Sequence, residues 1–189
     1  MSVLVIDNYD SFTYNIVHYA ESFTDKVVVW RNDEIDLPAV AEFDRIIISP
    51  GPGLPEDAGQ LMELIQLYCE SIPMLGICLG HQALGVYFDA KLYNLSEVKH
   101  GQQVECLKCN DSILFNSLEQ PILVGLYHSW AIKLPEDSVL NTTLICDNNI
   151  IMAFEHKILP IFGVQFHPES ILTPNGITVI EKFLTTNLK

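Results

Sequence analysis

At 189 residues, 49% of them hydrophobic and 18% charged, the chain can bury a full core without metal or disulfide staples and is unlike a disordered sequence. Ten basic against twenty-four acidic residues leave a net charge of −14, so neither nucleic acid nor an anionic membrane surface is an expected partner. The opening Met1-Ser-Val-Leu-Val-Ile-Asp7 has no basic leader and no run reaches membrane-spanning length, so a cytoplasmic protein is expected, with five cysteines as reduced thiols.

Val3–Ile6 is a continuous apolar run, the pattern of a strand buried on both faces. Asp10 or Ser11 can cap a helix carrying Phe12, Ile16, Tyr19 or Ala20, and Phe23 on one face. Val27–Trp30 reads as a second strand, and Pro38 opens a short helix through Phe43. Arg45–Ser49 is a third strand, running into the loop Pro50-Gly-Pro-Gly-Leu-Pro55. A helix from about Gln60 to Tyr68 precedes the fourth strand, Met74–Ile77. This alternation predicts an α/β fold, a mostly parallel doubly wound sheet with helices on both faces.

After Phe88 short antiparallel β ribbons are expected at Ala90–Tyr93, Gln102–Leu107, Ile122–Tyr127, Leu140–Cys146 and Ile150–Glu155. Asp147-Asn-Asn149 is a hairpin turn between the last two. Ile161–Phe166 is one more buried strand, and Ile177–Thr186 a closing helix. With no repeat, low-complexity segment or linker, residues 1–189 are expected to form one domain.

Chemistry concentrates at strand ends, where doubly wound sheets place their sites. In Gly76-Ile-Cys-Leu-Gly80 a strand turns sharply into a helix, with Cys78 at the apex. Flanking glycines allow the tight turn of a nucleophile elbow, the helix N-terminus favours thiolate, and the Leu79 N–H becomes a candidate oxyanion donor. Read alone, Cys78 is equally well a buried core thiol.

In Gln165-Phe-His-Pro-Glu169 an extended backbone would put His167 and Glu169 on one face, a base and the carboxylate that orients it. A structural ion pair is the alternative. His81, three residues past the cysteine, is a competing base without a nearby acid in sequence. Gly51-Pro-Gly53 can present a bare backbone N–H, making Gly53 a second oxyanion candidate, or be an ordinary tight loop. Cys106-Leu-Lys-Cys109 lacks the second pair that zinc needs, so no metal site is expected.

Gly76-Ile-Cys-Leu-Gly-His-Gln82, Ser49-Pro-Gly-Pro-Gly53 and Gln165-Phe-His-Pro-Glu169 resemble the three signature stretches of class I, triad-type glutamine amidotransferases. Asp7-Asn-Tyr-Asp-Ser-Phe-Thr-Tyr-Asn15 resembles one branch, the small subunits of anthranilate synthase and aminodeoxychorismate (para-aminobenzoate) synthase. The resemblance implies a glutaminase: Cys78 attacks the side-chain amide of L-glutamine, His167 handles the proton, Glu169 orients His167, and Gly53 and Leu79 form the oxyanion hole. It also implies glutamine binding by Gly51, Pro52, Gly53, Leu79, Gln82, and the backbone of Ser129 and Trp130. The family commonly shows Arg-Tyr-His-Ser-Leu where this chain reads Leu126-Tyr-His-Ser-Trp130, which keeps a backbone contact but alters the rim and removes a charge.

The implied partner is a chorismate-binding synthase large subunit, which would carry the acceptor site and Mg²⁺, this chain needing no cofactor of its own. The product would be anthranilate, for tryptophan, or aminodeoxychorismate, for folate. Two other readings compete. An α/β-hydrolase-type cysteine hydrolase would follow the order nucleophile, acid, histidine, whereas here the order is cysteine, histidine, glutamate. A regulatory subunit with a vestigial triad would have lost a member, and all three types are present.

Overall fold

In the computed structural model β1 (Ser2–Asp7) runs through the parallel part of the sheet, its first five residues buried. The structure describes residues 1–188, the side chain of Glu97 aside, so Lys189 of the expected domain span lies outside the described residues. β1 pairs in parallel with β2 (Lys26–Arg31) on one side and β3 (Arg45–Ile48) on the other. β4 (Met74–Ile77) and β9 (Ile161–Val164) continue the parallel set. Beyond β9 the sheet turns antiparallel through β8 (Ile151–His156), β7 (Leu140–Ile145), β5 (Lys91–Lys108) and β6 (Ile122–Lys133).

Strand alternation divides the core in two. Val3 and Val5 pack with α1 (Thr13–Glu21) and α4 (Gly176–Thr185), while Leu4 and Ile6 pack with α2 (Leu61–Tyr68) and α3 (Leu79–Tyr87). Helices thus cover both faces of a mostly parallel sheet, the expected class. Since β2 and β3 flank β1 on opposite sides, the winding reverses there, and the crevice at the carboxyl ends of β1, β3, β4 and β9 is the natural site.

Several elements differ from expectation for physical reasons. Helix α1 has no side-chain cap: Asp10 instead accepts the Phe12 N–H at 2.7 Å in a local turn, and Phe12 stays 47% exposed. The polar stretch between the two expected early ribbons is drawn into a single 18-residue β5 by its pairing with β6, with irregularities between Asn94 and Lys99 and around Gly101. β6 likewise runs past Tyr127 and carries His128, Ser129 and Trp130 as strand residues. At Asp147–Asn149 the expected turn forms with Asn148 and Asn149 at positive φ. Among the described residues no helix is long and apolar enough to cross a membrane.

Candidate active site

Cys78 sits between β4 and α3 at φ 52 and ψ −99, a conformation an L residue holds only when its surroundings enforce it. Its N–H donates to Val164 O at 2.9 Å on β9, and its carbonyl accepts the Gln82 N–H at 3.0 Å inside α3. A Cβ on Gly76 would run into the Gly80 backbone, and one on Gly80 would meet Ile48 O at 2.6 Å. The flanking glycines therefore serve close backbone approach, and the elbow itself falls on the cysteine. Leu79 opens α3, so its N–H has no acceptor within the helix.

His167 Nδ1 meets Glu169 Oε1 at 2.6 Å, both side chains almost fully enclosed. Their approach corrects the extended reading. β9 ends at Val164, and the Ser170 N–H closes a turn onto His167 O at 3.2 Å, so a turn rather than a strand brings the two together. Tyr127 stacks edge-on to His167, ring centroids 4.9 Å apart, and the Thr173 hydroxyl donates to His167 O at 2.7 Å. Burial opposes charge on His167, but hydrogen bonding and negative charge at Cys78 and Glu169 outweigh it and push its pKa up to about 10. Nε2 makes no well-aligned hydrogen bond, the loose geometry common at a resting site.

His81 lies elsewhere. It is fully buried against Phe154, with ring centroids 4.7 Å apart, and neither ring nitrogen finds a well-aligned partner. Burial drives its pKa down to about 3 against the opposing effect of the Gly163 backbone, so it is a neutral core residue. Cys106 is buried while Cys109 is exposed with its thiol on Thr142 O, and among the described residues no group of three or more His, Cys, Asp or Glu could hold a metal ion.

A cleft of about 260 Å³ brings together Gly51, Pro52, Gly53, Cys78, Gln82, Ser129 and Trp130 of the expected set, with Leu54, Tyr127 and His128 added. His167 and Glu169 line a separate cavity of about 420 Å³, with Phe12, Asn15, Tyr19, Tyr127, Ser170 and Ile171. Cys78 thus lines one cavity and His167 and Glu169 the other, and Tyr127 faces both. Leu79 contributes no side chain to the cleft wall and packs inward, its Cδ2 next to Gly51. Leu126 is a core residue and does not line the cleft.

The two loop glycines have different reasons to be glycine. Gly53 needs positive φ (+79) and has open space around it, whereas a Cβ on Gly51 would meet Asn8 O and Cβ at 2.5 Å. Asn8 went unremarked in sequence as a site residue. It is 2% exposed, donates to Ser49 O at 2.8 Å, accepts from Asn32 Nδ2 at 3.0 Å, and its backbone N–H reaches Ser49 Oγ at 2.9 Å. An asparagine following a buried strand was the available signal.

The sequence matches the family described as glutamine amidotransferase class-I over residues 4–187. The chain belongs to that family. This amidotransferase is 44% identical over 187 residues to anthranilate synthase component 2 of Lactococcus lactis, spanning 96% of this chain and 93% of the relative. It is 39% identical over 191 residues to aminodeoxychorismate/anthranilate synthase component 2 of Bacillus subtilis, spanning 99% and 97%. In fold it is similar to a glutamine amidotransferase structure from Thermotoga maritima, with a TM-score of 0.80 and 16% identity, covering 98% of this amidotransferase and 99% of that chain.

Proposed function

We propose that the chain hydrolyses L-glutamine at Cys78 and passes the ammonia to a chorismate-binding synthase large subunit, giving anthranilate or aminodeoxychorismate. The carrying observation is the enclosed His167–Glu169 pair, at 2.6 Å, beside a cysteine held at positive φ on a glycine-flanked elbow. Relatives named component 2 of anthranilate synthase, and of aminodeoxychorismate/anthranilate synthase, support a partnered subunit and leave both products open.

In this reading glutamine enters the cleft and Cys78 Sγ attacks its side-chain carbonyl carbon. His167 Nε2 takes the thiol proton, and the N–H groups of Leu79 and Gly53 receive the oxyanion. Collapse expels the amide nitrogen, which collects the His167 proton and leaves as ammonia, and a γ-glutamyl thioester remains. Water, deprotonated by the same ring, then releases glutamate and restores the thiol. Glu169 holds the ring through Nδ1 throughout. Gly51, Pro52, Gly53, Leu79, Gln82, Ser129 and Trp130 contact the substrate. Both amide hydrogens of Gln82 are committed, to Trp130 O and Gln165 Oε1, so Gln82 offers glutamine an acceptor oxygen.

Residues 1–189 act as one amidotransferase domain without a cofactor of its own, Mg²⁺ belonging to the synthase. Five free cysteines suit a cytoplasmic setting. The test is Cys78→Ala assayed with its synthase. Glutamine-dependent product is lost and ammonia-dependent product persists; continued glutamine turnover overturns the reading.

A further inference from the structure

A chain of hydrogen bonds, part-buried at its start and buried at its end, leads to the nucleophile, and its direction is fixed from the far end. The Trp130 carbonyl can only accept, and it takes His128 Nδ1–H at 2.8 Å and Gln82 Nε2–H at 3.0 Å. That sets the Gln82 amide with nitrogen toward Trp130. The second hydrogen of the same nitrogen reaches Gln165 Oε1 at 3.2 Å, which sets the Gln165 amide in turn. What Gln165 then presents to Cys78 Sγ, at 3.6 Å, is its NH₂ group. Flipping either amide would put a lone pair against a lone pair or a donor against a donor. Gln165 is fully buried and Gln82 is 4% exposed, so the polarity acts where water screens little.

An N–H pointed at sulfur stabilises the thiolate far more than the thiol, whose sulfur is a weak acceptor. We propose that Gln165 is a further catalytic residue: its amide N–H holds Cys78 as the thiolate, and Gln82, anchored on the Trp130 carbonyl, keeps that amide from turning. Gln82 and Trp130 line the glutamine cleft while Gln165 does not, so occupancy of the cleft is linked to the state of the nucleophile through two side-chain amides. The inference rests on Cys78 being the nucleophile.

The test reads the thiol without substrate: the pH dependence of Cys78 alkylation by iodoacetamide, followed by mass spectrometry of the Cys78 peptide. Gln165→Met keeps the length of the side chain and removes the donor. Its alkylation midpoint is expected to rise by about one pH unit, slowing alkylation below the midpoint about tenfold. Gln82→Met frees the Gln165 amide to turn and is expected to shift the midpoint the same way by less. An unshifted midpoint in Gln165→Met with native circular dichroism overturns the proposal. If that variant does not fold, an unshifted midpoint in Gln82→Met overturns it. Failure of the nucleophile reading is distinct, because it appears as glutamine hydrolysis surviving in Cys78→Ala whatever the alkylation profile does.

Discussion

Glu169 Oε1 lies 2.6 Å from His167 Nδ1, so the ring nitrogen left for proton transfer is Nε2. The contact fixes the tautomer and supplies the negative charge that an imidazolium needs in a site almost closed to water. Glu169→Gln keeps the shape and removes the charge. We expect glutamine-dependent turnover to fall on the order of 10³- to 10⁴-fold, the scale seen when a triad carboxylate becomes an amide. Ammonia-dependent synthesis by the partner should be unchanged, and a loss of less than about tenfold would argue against the orienting role.

Two of the buried histidines, His167 and His81, predict opposite pH limbs of stability. His167 has its pKa raised to about 10, so its contribution is fully present below the unfolded value near 6.5 and is lost as pH rises through about 10. His81 has its pKa depressed to about 3, so the unfolded chain binds the proton first. Its contribution is present above about 6.5 and is lost as pH falls toward 3. Thermal melts between those limits should show His81→Leu flattening the acid limb while glutamine turnover stays within about tenfold. An acid limb as steep as before would contradict the neutral-core assignment of His81.

Local signals in this chain were legible and long-range ones were not. The apolar runs of β1, β3 and β4, and the glycines around Cys78, report backbone needs met within a few residues, and each lies where its pattern indicated. Of the two candidate bases, His167 has the sequence-near acid beside it in the fold, whereas His81 is packed against Phe154. What sequence did not convey depends on partners far along the chain. Asn8 meets Ser49, Gln165 meets Cys78, and the polar middle of β5 becomes strand only because β6 pairs with it. The turn at His167-Pro-Glu169 was missed for a similar reason: Gly125 O on β6 holds the His167 N–H at 3.1 Å, away from the sheet register of β9.

The Ser49–Gly53 loop should respond unequally to two alanines. Gly53→Ala has room for its methyl and suffers only the positive φ, about 1–2 kcal/mol. That corresponds to a drop of roughly 2–8 °C in Tm for a chain of this size. Gly51→Ala drives a Cβ against Asn8 and should cost more stability and more turnover, since the loop must move off its Asn8 anchor. Asn8→Ala should reproduce the turnover loss while leaving Cys78 alkylation unaltered. Equal melting points for the two glycine variants would count against a close-approach role for Gly51.

Phe12 and Ile171 are 47% and 94% exposed, yet both line the cavity that holds His167 and Glu169. Large apolar side chains left in water at the rim of such a cavity are suited to cover by another protein. The synthase subunit proposed above, seated there, would close the cavity beside His167 and Glu169 and catch ammonia before it reaches solvent. The isolated chain should then hydrolyse glutamine slowly and be stimulated by the synthase. Ile171→Asp should weaken the complex at least tenfold by titration, lower stimulated turnover at limiting synthase, and leave the slow basal rate alone. Basal turnover already equal to the stimulated rate, or an Ile171→Asp chain that binds the synthase as tightly as before, would place the docking surface elsewhere.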